Sequence, residues 1–179
     1  MSQESHRAFL EGLVDPGRVR LTKYSPIIKA GKYKHVTVPE ALRDADPTTL
    51  VEVESAQEVA AILKKANMED RPVYVRQGTG GVTLDLIRPE PPGSIALDLR
   101  RLNWIRPNLD GGYVEIGPAV PESELNVALE PHGFTYPEFV GPVTWGGLVA
   151  SNTSGRSVDS HWGKPGDYLM GIEVVLPTG

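Results

Sequence analysis

The chain has 179 residues, 40% of them hydrophobic and 23% charged, which is the balance of an ordinary globular protein with one domain or two small lobes and not of a disordered one. There is no Cys, so disulfide frameworks, thiolate nucleophiles, iron–sulfur clusters and Cys-based zinc sites are excluded within these residues. Nineteen glycines and sixteen prolines, about a fifth of the chain against a usual share of roughly 12%, predict many loops or loops with a task.

Net charge is −5, unevenly spread. From Pro16 to Pro39 there are six basic residues (Arg18, Arg20, Lys23, Lys29, Lys32, Lys34) and no acid, whereas from residue 40 onward 20 acidic residues face 11 basic ones. A solvated basic arm is the plain reading; a docking strip for an acidic partner or an anionic surface is the sharper one. Nucleic acid is disfavoured as a partner, because the rest of the chain repels phosphate. Met1 to Glu11 has no apolar h-region and no segment reaches about 18 apolar residues, so neither a secretory signal nor a membrane span is expected, and the cytoplasm is the default address.

In chain order, residues 1–46 show weak periodicity and read as an N-terminal extension, an arm outside the core with a short helix near Ser5 to Val14. Leu50 to Glu54 alternates as a strand, and Ser55-Ala56-Gln57-Glu58 then gives the S-x-x-E signature of a helix start. Val59, Ile62, Leu63 and Ala66 follow at i, i+3, i+4 and i+7, one apolar stripe facing a core. Pro72 closes the connection and Val73 to Val75 is the next strand, which completes a βαβ unit. Ser94 to Leu99 supplies a third strand. A second lobe begins near Asn108: a turn at Asp110-Gly111-Gly112, an alternating strand Tyr113 to Ile116, and a short helix from Pro121 to Glu130 ended at His132-Gly133. Gly146 to Asn152 reads as a compact small-residue helix or turn, and Ile172 to Leu176 as a strand.

Two glycine-rich segments carry chemistry. Arg76-Gln77-Gly78-Thr79-Gly80-Gly81 directly follows a strand, and residues without Cβ there let backbone N–H groups approach a pyrophosphate, with Thr79 adding a hydroxyl. The sequence is neither G-x-x-x-x-G-K-[ST] nor G-x-G-x-x-G, and taken alone a structural turn explains it as well. The second runs from Thr144 through Gly146 and Gly147 to Ser151, Asn152 and Gly155. Paired glycines at the start of a helical turn are expected to expose unpaired N–H donors to an anion; close helix–strand packing is the structural alternative. His161 beside Trp162 reads more simply as a surface or ring-stacking residue than as a catalytic one. Asp159, His161 and Asp167 match no metal-ligand spacing. His132 caps a helix C-terminus, and four scattered histidines make no Ser-His-Asp arrangement.

The order of these segments resembles a known family. Arg71 to Gly80, Ala96 to Asn103, Val114 to Gly117 and Leu125-Asn126, and most closely Thr144-Trp145-Gly146-Gly147 through Ser151-Asn152, Trp162-Gly163, Asp167-Tyr168 and Gly171 to Gly179, are similar to the FAD-binding PCMH-type domain of the vanillyl-alcohol oxidase and glycolate oxidase family of FAD-linked oxidases. The resemblance covers about residues 47–179. It implies an α+β fold of two lobes, a small parallel βαβ lobe at 47–107 and an incomplete antiparallel-sheet lobe at 108–179 that breaks off after the strand near residue 177, with an extended FAD lying between them.

It also implies site roles. Arg76 and Gln77 to Gly81 would hold the pyrophosphate through backbone amides. Thr144, Gly146 and Gly147 would line the flavin and its phosphates. Ser151, Asn152 and Gly155 would approach the ribityl or ribose region, and Ile172 and Val174 would meet the adenine through main chain. Gln77 stands where relatives commonly have glycine. No His occupies the first loop where relatives attach the flavin, so FAD is expected to be non-covalent. The implied activity is oxidation of an alcohol or 2-hydroxy acid of the D-lactate or glycolate type, the cofactor carrying the chemistry. The substrate-binding cap and catalytic base would come from a continuing polypeptide or a partner subunit. Two alternatives stay open: a non-catalytic assembly subunit of a split enzyme, and an NADPH-dependent flavin reductase of the same fold.

Overall fold

The computed structural model describes residues 3–22, 48–76, 94–137, 143–154 and 159–179. They form two units, one of residues 1–98 with 175–179 and one of residues 99–174. The architecture is α+β, a mixed and mainly parallel sheet in the first unit and an antiparallel pair in the second.

In the first unit the chain makes α1 (Gln3–Leu10), β1 (Val19–Thr22), β2 (Thr48–Glu52), α2 (Ala56–Met68), β3 (Val73–Arg76) and β4 (Ile95–Asp98). The sheet order is β1-β2-β4-β3. Strands β2 and β3 both pair in parallel with β4, so the βαβ crossover through α2 skips one strand and β4 fills the gap. As the central strand β4 is covered on both sides, and Ile95, Ala96 and Leu97 are all fully buried, the continuous apolar run of an interior parallel strand.

Ser55 starts α2 as read from the sequence: its Oγ accepts the Glu58 N–H at 3.1 Å. The reciprocal half of the box is modified, since the Glu58 carboxylate accepts the N–H of Glu54 at 2.8 Å rather than that of the cap residue. Of the predicted stripe, Ile62 and Ala66 are buried and Val59 and Leu63 half-buried. The helix ends with Asp70 in the left-handed region at φ 51° and the Arg71 N–H on the Ala66 carbonyl at 2.9 Å, a Schellman closure that glycine usually makes.

The N-terminal segment departs from the expected arm. Phe9, Leu10, Val14 and Val19 are buried, and β1 pairs antiparallel with β2 from Val19↔Val51 to Thr22↔Thr48. The buried His6 Nδ1 hydrogen-bonds the Thr49 hydroxyl. Lys65 donates to the Phe9 carbonyl at 2.5 Å, and the Arg71 guanidinium lies 4.6 Å from the centre of the Phe9 ring. Periodicity missed this because a four-residue strand and a two-turn helix give too few repeats to register. The basic arm is likewise part of the fold where it is described: Arg18 pairs with Glu58 and Glu54, and Arg20 with Glu52 and Asp98. Lys23 to Lys34 lie outside the described residues.

In the second unit come β5 (Ile105–Asn108), β6 (Tyr113–Ile116), α3 (Glu122–Leu129), α4 (Trp145–Ser151) and α5 (Asp159–Trp162). Strand β6 falls where alternation placed it. Strand β5 was not foreseen, because Arg-Pro-Asn reads as a loop. Pro107 is accommodated in a two-stranded ribbon. The turn between them is held by the Gly111 N–H on Asn108 Oδ1 at 2.8 Å, with Gly112 at φ 68°. Helix α3 runs into a 3₁₀ turn at Glu130–His132 that Gly133 closes at φ 78°, the expected glycine stop. The core joins Val120, Leu125, Leu129, Trp145 and Leu148, with Ile105, Val114, Ile116, Tyr136, Val143 and Tyr168 against it.

The strand expected at Ile172–Leu176 is not formed; residues 171–176 belong to no sheet among the described residues. A strand exists only through a partner's ladder, and alternating side chains alone do not supply one. Residues 176–179 make a turn closed by the Gly179 N–H on the Leu176 carbonyl at 2.9 Å. A Cβ at Gly179 would stand 2.5 Å from the Ala60 carbonyl oxygen, which seats this turn on α2. No described helix is long and apolar enough to cross a membrane.

Candidate functional site

The three parallel strands of the first unit end level with one another: Glu52, Asp98 and Arg76 are in register at their carboxyl ends. Ligands of α/β sheets bind outside those ends, and the first glycine-rich sequence begins directly after Arg76. Arg76 is half-buried as the last residue of β3. Gln77, Gly78, Thr79, Gly80 and Gly81 lie outside the described residues, as does Gly155.

Thr144, Gly146, Gly147, Ser151 and Asn152 lie on or beside α4. Its entry is zipped to residues 118–122: Thr144 bridges Pro121, the Trp145 N–H donates to the Val120 carbonyl at 2.9 Å, and the Glu122 N–H to Val143 at 2.9 Å. The Gly146 N–H donates to the Pro118 carbonyl, also at 2.9 Å. This corrects the expectation that both glycines expose unpaired donors. Of the three first-turn amides, those of Trp145 and Gly146 are committed to neighbouring carbonyls, because the helix start sits inside the fold against that loop. Thr144 is buried and its side chain does not cap the helix.

At the other end Ser151 Oγ donates back to the Gly147 carbonyl at 2.7 Å and shares a hydrogen with the Thr153 hydroxyl at 2.5 Å. Asn152 closes the helix in the left-handed region at φ 43°, a conformation asparagine tolerates better than most residues. Gly166 in the 3₁₀ turn Pro165–Tyr168 passes so near that a Cβ there would be 3.2 Å from Asn152 Oδ1.

The contacts of two features of this unit were not foreseen by sequence reasoning. Asn126, half-buried on α3, accepts the Tyr136 N–H at 2.6 Å and donates to the Tyr136 carbonyl at 2.8 Å, so one side chain fixes both main-chain groups of that residue. The Tyr136 ring then stands edge-on to Trp145 with centroids 4.5 Å apart and 4.9 Å from Tyr168, while the Tyr168 hydroxyl donates to the Trp162 carbonyl. Burial, and then the neighbouring Tyr168, push the Tyr136 phenol above its ordinary range; burial, and then Asp167, raise Tyr168. Both phenols therefore stay protonated at neutral pH and serve as wall and hydrogen-bond donor. The signal available beforehand was the place of Asn126 and Tyr168 among the residues that carry the family resemblance, which fixes no contact, and for Tyr136 only its residue type in a Pro-rich passage.

Ile172 and Val174 lie in the extended stretch and are 64% and 60% exposed. Among the described residues, none of the main-chain N–H or C=O groups of residues 171–175 makes a hydrogen bond. Open main chain flanked by exposed apolar side chains is the donor and acceptor set that a flat heteroaromatic ring requires, and on that point these residues fit an adenine. His161 stacks edge-on against Trp162 at 4.7 Å, and no group of His, Asp and Glu that would hold a metal ion is found among the described residues.

An α+β chain in which parallel strand β3 is followed in sequence by a glycine-rich segment, and whose second unit has a small-residue helix and an open peptide stretch, has the elements of a flavin-binding domain. Residues 47–179 match the FAD binding domain family, and the chain belongs to it; this is the PCMH-type FAD domain of the FAD-linked oxidases. Among curated relatives it is 30% identical over 142 residues to a D-lactate dehydrogenase of Archaeoglobus fulgidus, covering 78% of this chain and 31% of that protein. It is 34% identical to a D-lactate dehydrogenase of Anaerostipes hadrus, covering 75% and 28%. The chain thus spans less than a third of the length of these relatives. Among solved structures, an alkyldihydroxyacetonephosphate synthase superposes on all of this chain and 34% of its own, with a TM-score of 0.76 at 19% identity. Phl p 4.0202, a glucose dehydrogenase, covers 89% and 34% with a TM-score of 0.65 at 14% identity. At those identities the structures speak for the fold alone.

Proposed function

We propose that this chain is the FAD-holding portion of a flavin-dependent oxidoreductase that oxidises the CH–OH group of an alcohol or 2-hydroxy acid, of the D-lactate or glycolate type. The observation that carries the reading is the FAD-domain match, which runs from residue 47 through the described residues of both units to residue 179. Its substrate class is supported by two relatives named D-lactate dehydrogenase, each aligned over about three quarters of this chain.

In this reading Arg76 and Gln77 to Gly81 hold the pyrophosphate, Thr144, Gly146 and Gly147 line the flavin, Ser151, Asn152 and Gly155 approach the sugar portions, and Ile172 and Val174 present main chain to the adenine. Gly146 contributes the absence of a side chain rather than its amide, which the Pro118 carbonyl already takes. FAD is held without a covalent bond, and once bound it supplies the two-electron acceptor that no side chain here can provide. The chain's own residues bind, orient and shield. The substrate site and its base belong to a continuing polypeptide or a partner subunit.

The test is purification of the chain with whatever follows or accompanies it. A visible flavin spectrum that bleaches with D-lactate or glycolate is expected. Bleaching by NADPH alone would make it a reductase, and a colourless complex would make it an assembly subunit. Gly147→Leu is expected to abolish flavin uptake, and unchanged occupancy in that variant would refute the assignment of α4.

A further inference from the structure

Asp110 is the one Asp or Asn of the sequence that is followed directly by Gly, and the pair lies in the turn that joins β5 to β6. Residues 106–113 are all exposed to solvent. In an Asp-Gly pair no side chain on the second residue blocks the approach of its amide nitrogen to the aspartyl carboxyl. The reaction open to it is a main-chain rearrangement. The Gly111 nitrogen bonds to Asp110 Cγ, and the hydroxyl of the protonated carboxyl leaves as water with the amide hydrogen. The resulting succinimide then takes up water. Opening at Cγ restores Asp110, and opening at the main-chain carbonyl leaves an isoaspartate linked through its side chain.

The turn holds the attacking group away from that path. The Gly111 N–H donates to Asn108 Oδ1 at 2.8 Å, and Asn108 Nδ2 donates to the Tyr113 hydroxyl, also at 2.8 Å. Asn108 and Tyr113 face one another as the last cross-strand pair of the ribbon, so the Asn108 side chain is anchored on both sides of the turn. The Gly112 N–H adds a bond to the Leu109 carbonyl at 3.2 Å. Attack on Cγ requires the Gly111 N–H to leave its acceptor and the Asp110–Gly111 peptide plane to rotate. A side-chain amide oxygen is too weak a base to take the proton itself, so this bond opposes the reaction. Glycine is also what the turn demands: a Cβ at Gly111 would stand 2.6 Å from the Tyr113 ring and 2.9 Å from Asn108 Oδ1, pushing aside the two side chains that close it. We propose that Asp110–Gly111 is a site of isoaspartate formation and that Asn108 is the residue that restrains it. The inference stands independently of the FAD reading.

The experiment is ageing of the full chain at neutral pH, with any subunit that co-purifies. Isoaspartate is titrated with a protein-isoaspartate methyltransferase and labelled S-adenosylmethionine, and located by peptide mass mapping. In wild type the label is expected at Asp110, accumulating more slowly than in the same chain unfolded in urea. Asn108→Ala is expected to raise the rate at Asp110 by about two- to tenfold, the factor that one lost hydrogen bond supplies. Asn108→Asp keeps an acceptor for the Gly111 N–H and is expected to stay near wild type. Asp110→Glu, whose longer side chain must close a larger ring, is expected to lose the label. Should Asn108→Ala fail to fold, Tyr113→Phe, which removes only the anchor of Asn108, carries the same test with a rate above that of wild type. A label that maps elsewhere, a folded wild-type rate equal to that of the unfolded chain, or a rate in Asn108→Ala no higher than wild type overturns the proposal. So does a rise in that variant spread over the other Asp and Asn residues, which marks general loosening in place of a local restraint.

Discussion

Replacing Glu58 by Gln removes the charge from a two-pronged ion pair with Arg18 in the first unit. Arg18 donates to both carboxylate oxygens, at 2.8 and 2.6 Å, and the Glu54 N–H adds a third bond at 2.8 Å. The two side chains are only 12% and 21% exposed, so this pair is screened far less than a surface salt bridge. Gln keeps one acceptor and loses the charge and the fork; the expected cost is about 2 kcal/mol, between an exposed pair and a fully buried one. For a chain of this size that lowers the melting temperature by roughly 4–8 °C. The pH dependence has a definite sign. The Arg18 hydrogen bonds hold the Glu58 carboxyl below its ordinary range, so its stabilisation is complete above the unfolded value near ~4.3 and is lost as pH falls through the lower folded value. Arg18 is correspondingly raised, and its share is lost only at extreme alkalinity. Thermal or urea melts of wild type and Glu58→Gln are therefore expected to differ at neutral pH and converge in acid. A neutral-pH gap below about 0.5 kcal/mol, or one that persists undiminished once the carboxyl is protonated, refutes the assignment.

Asn126→Ala strips both main-chain partners from Tyr136 and is expected to cost about 2–3 kcal/mol in urea unfolding, with loss of the near-ultraviolet signal of the Tyr136–Trp145 pair. Gly117→Ala would drive a Cβ into the Leu102 carbonyl oxygen and to 2.7 Å from its carbon; backbone cannot yield cheaply, so more than about 2 kcal/mol should be lost in a thermal melt. Asp70→Gly should act in the opposite direction. The residue is exposed and held at φ 51°, and glycine there is expected to stabilise by about 0.5–1 kcal/mol, raising the melting temperature by a few degrees.

What was legible in the sequence is what depends on local chemistry. Ser55 could be placed as a cap because its hydroxyl reaches only three residues along the chain, Gly133 as a stop because few residues tolerate its φ, and β6 because Val114 and Ile116 face the core in alternation with exposed Tyr113 and Glu115. What was not legible depends on partners far away in the chain. Arg18 meets Glu58 across 40 residues, and His6 meets Thr49 across 43. No spacing rule reaches that distance, so the N-terminal segment read as an arm when it supplies both a strand and counter-charges. In the candidate site the same division holds: the small residues of α4 declared themselves, but the Pro118 carbonyl that takes the Gly146 amide did not.

The stretch 171–176 is the sharpest instance of that division. Alternation there is real, yet it is Ile172, Val174 and Leu176 that face solvent, at 64%, 60% and 62% exposure, while Val175 is half-buried. In a strand packed on its own core the larger apolar set points inward. Here that set points outward and the main chain between residues 171 and 175 makes no hydrogen bond among the described residues, so the pattern specifies a surface without naming what it meets. In the proposed site an adenine would take the open peptide groups. It is too small to account for three apolar side chains spread over five residues, which at ~3.3 Å per residue span about 13 Å. The apolar set at Ile172, Val174 and Leu176 therefore extends beyond what that ring alone would cover.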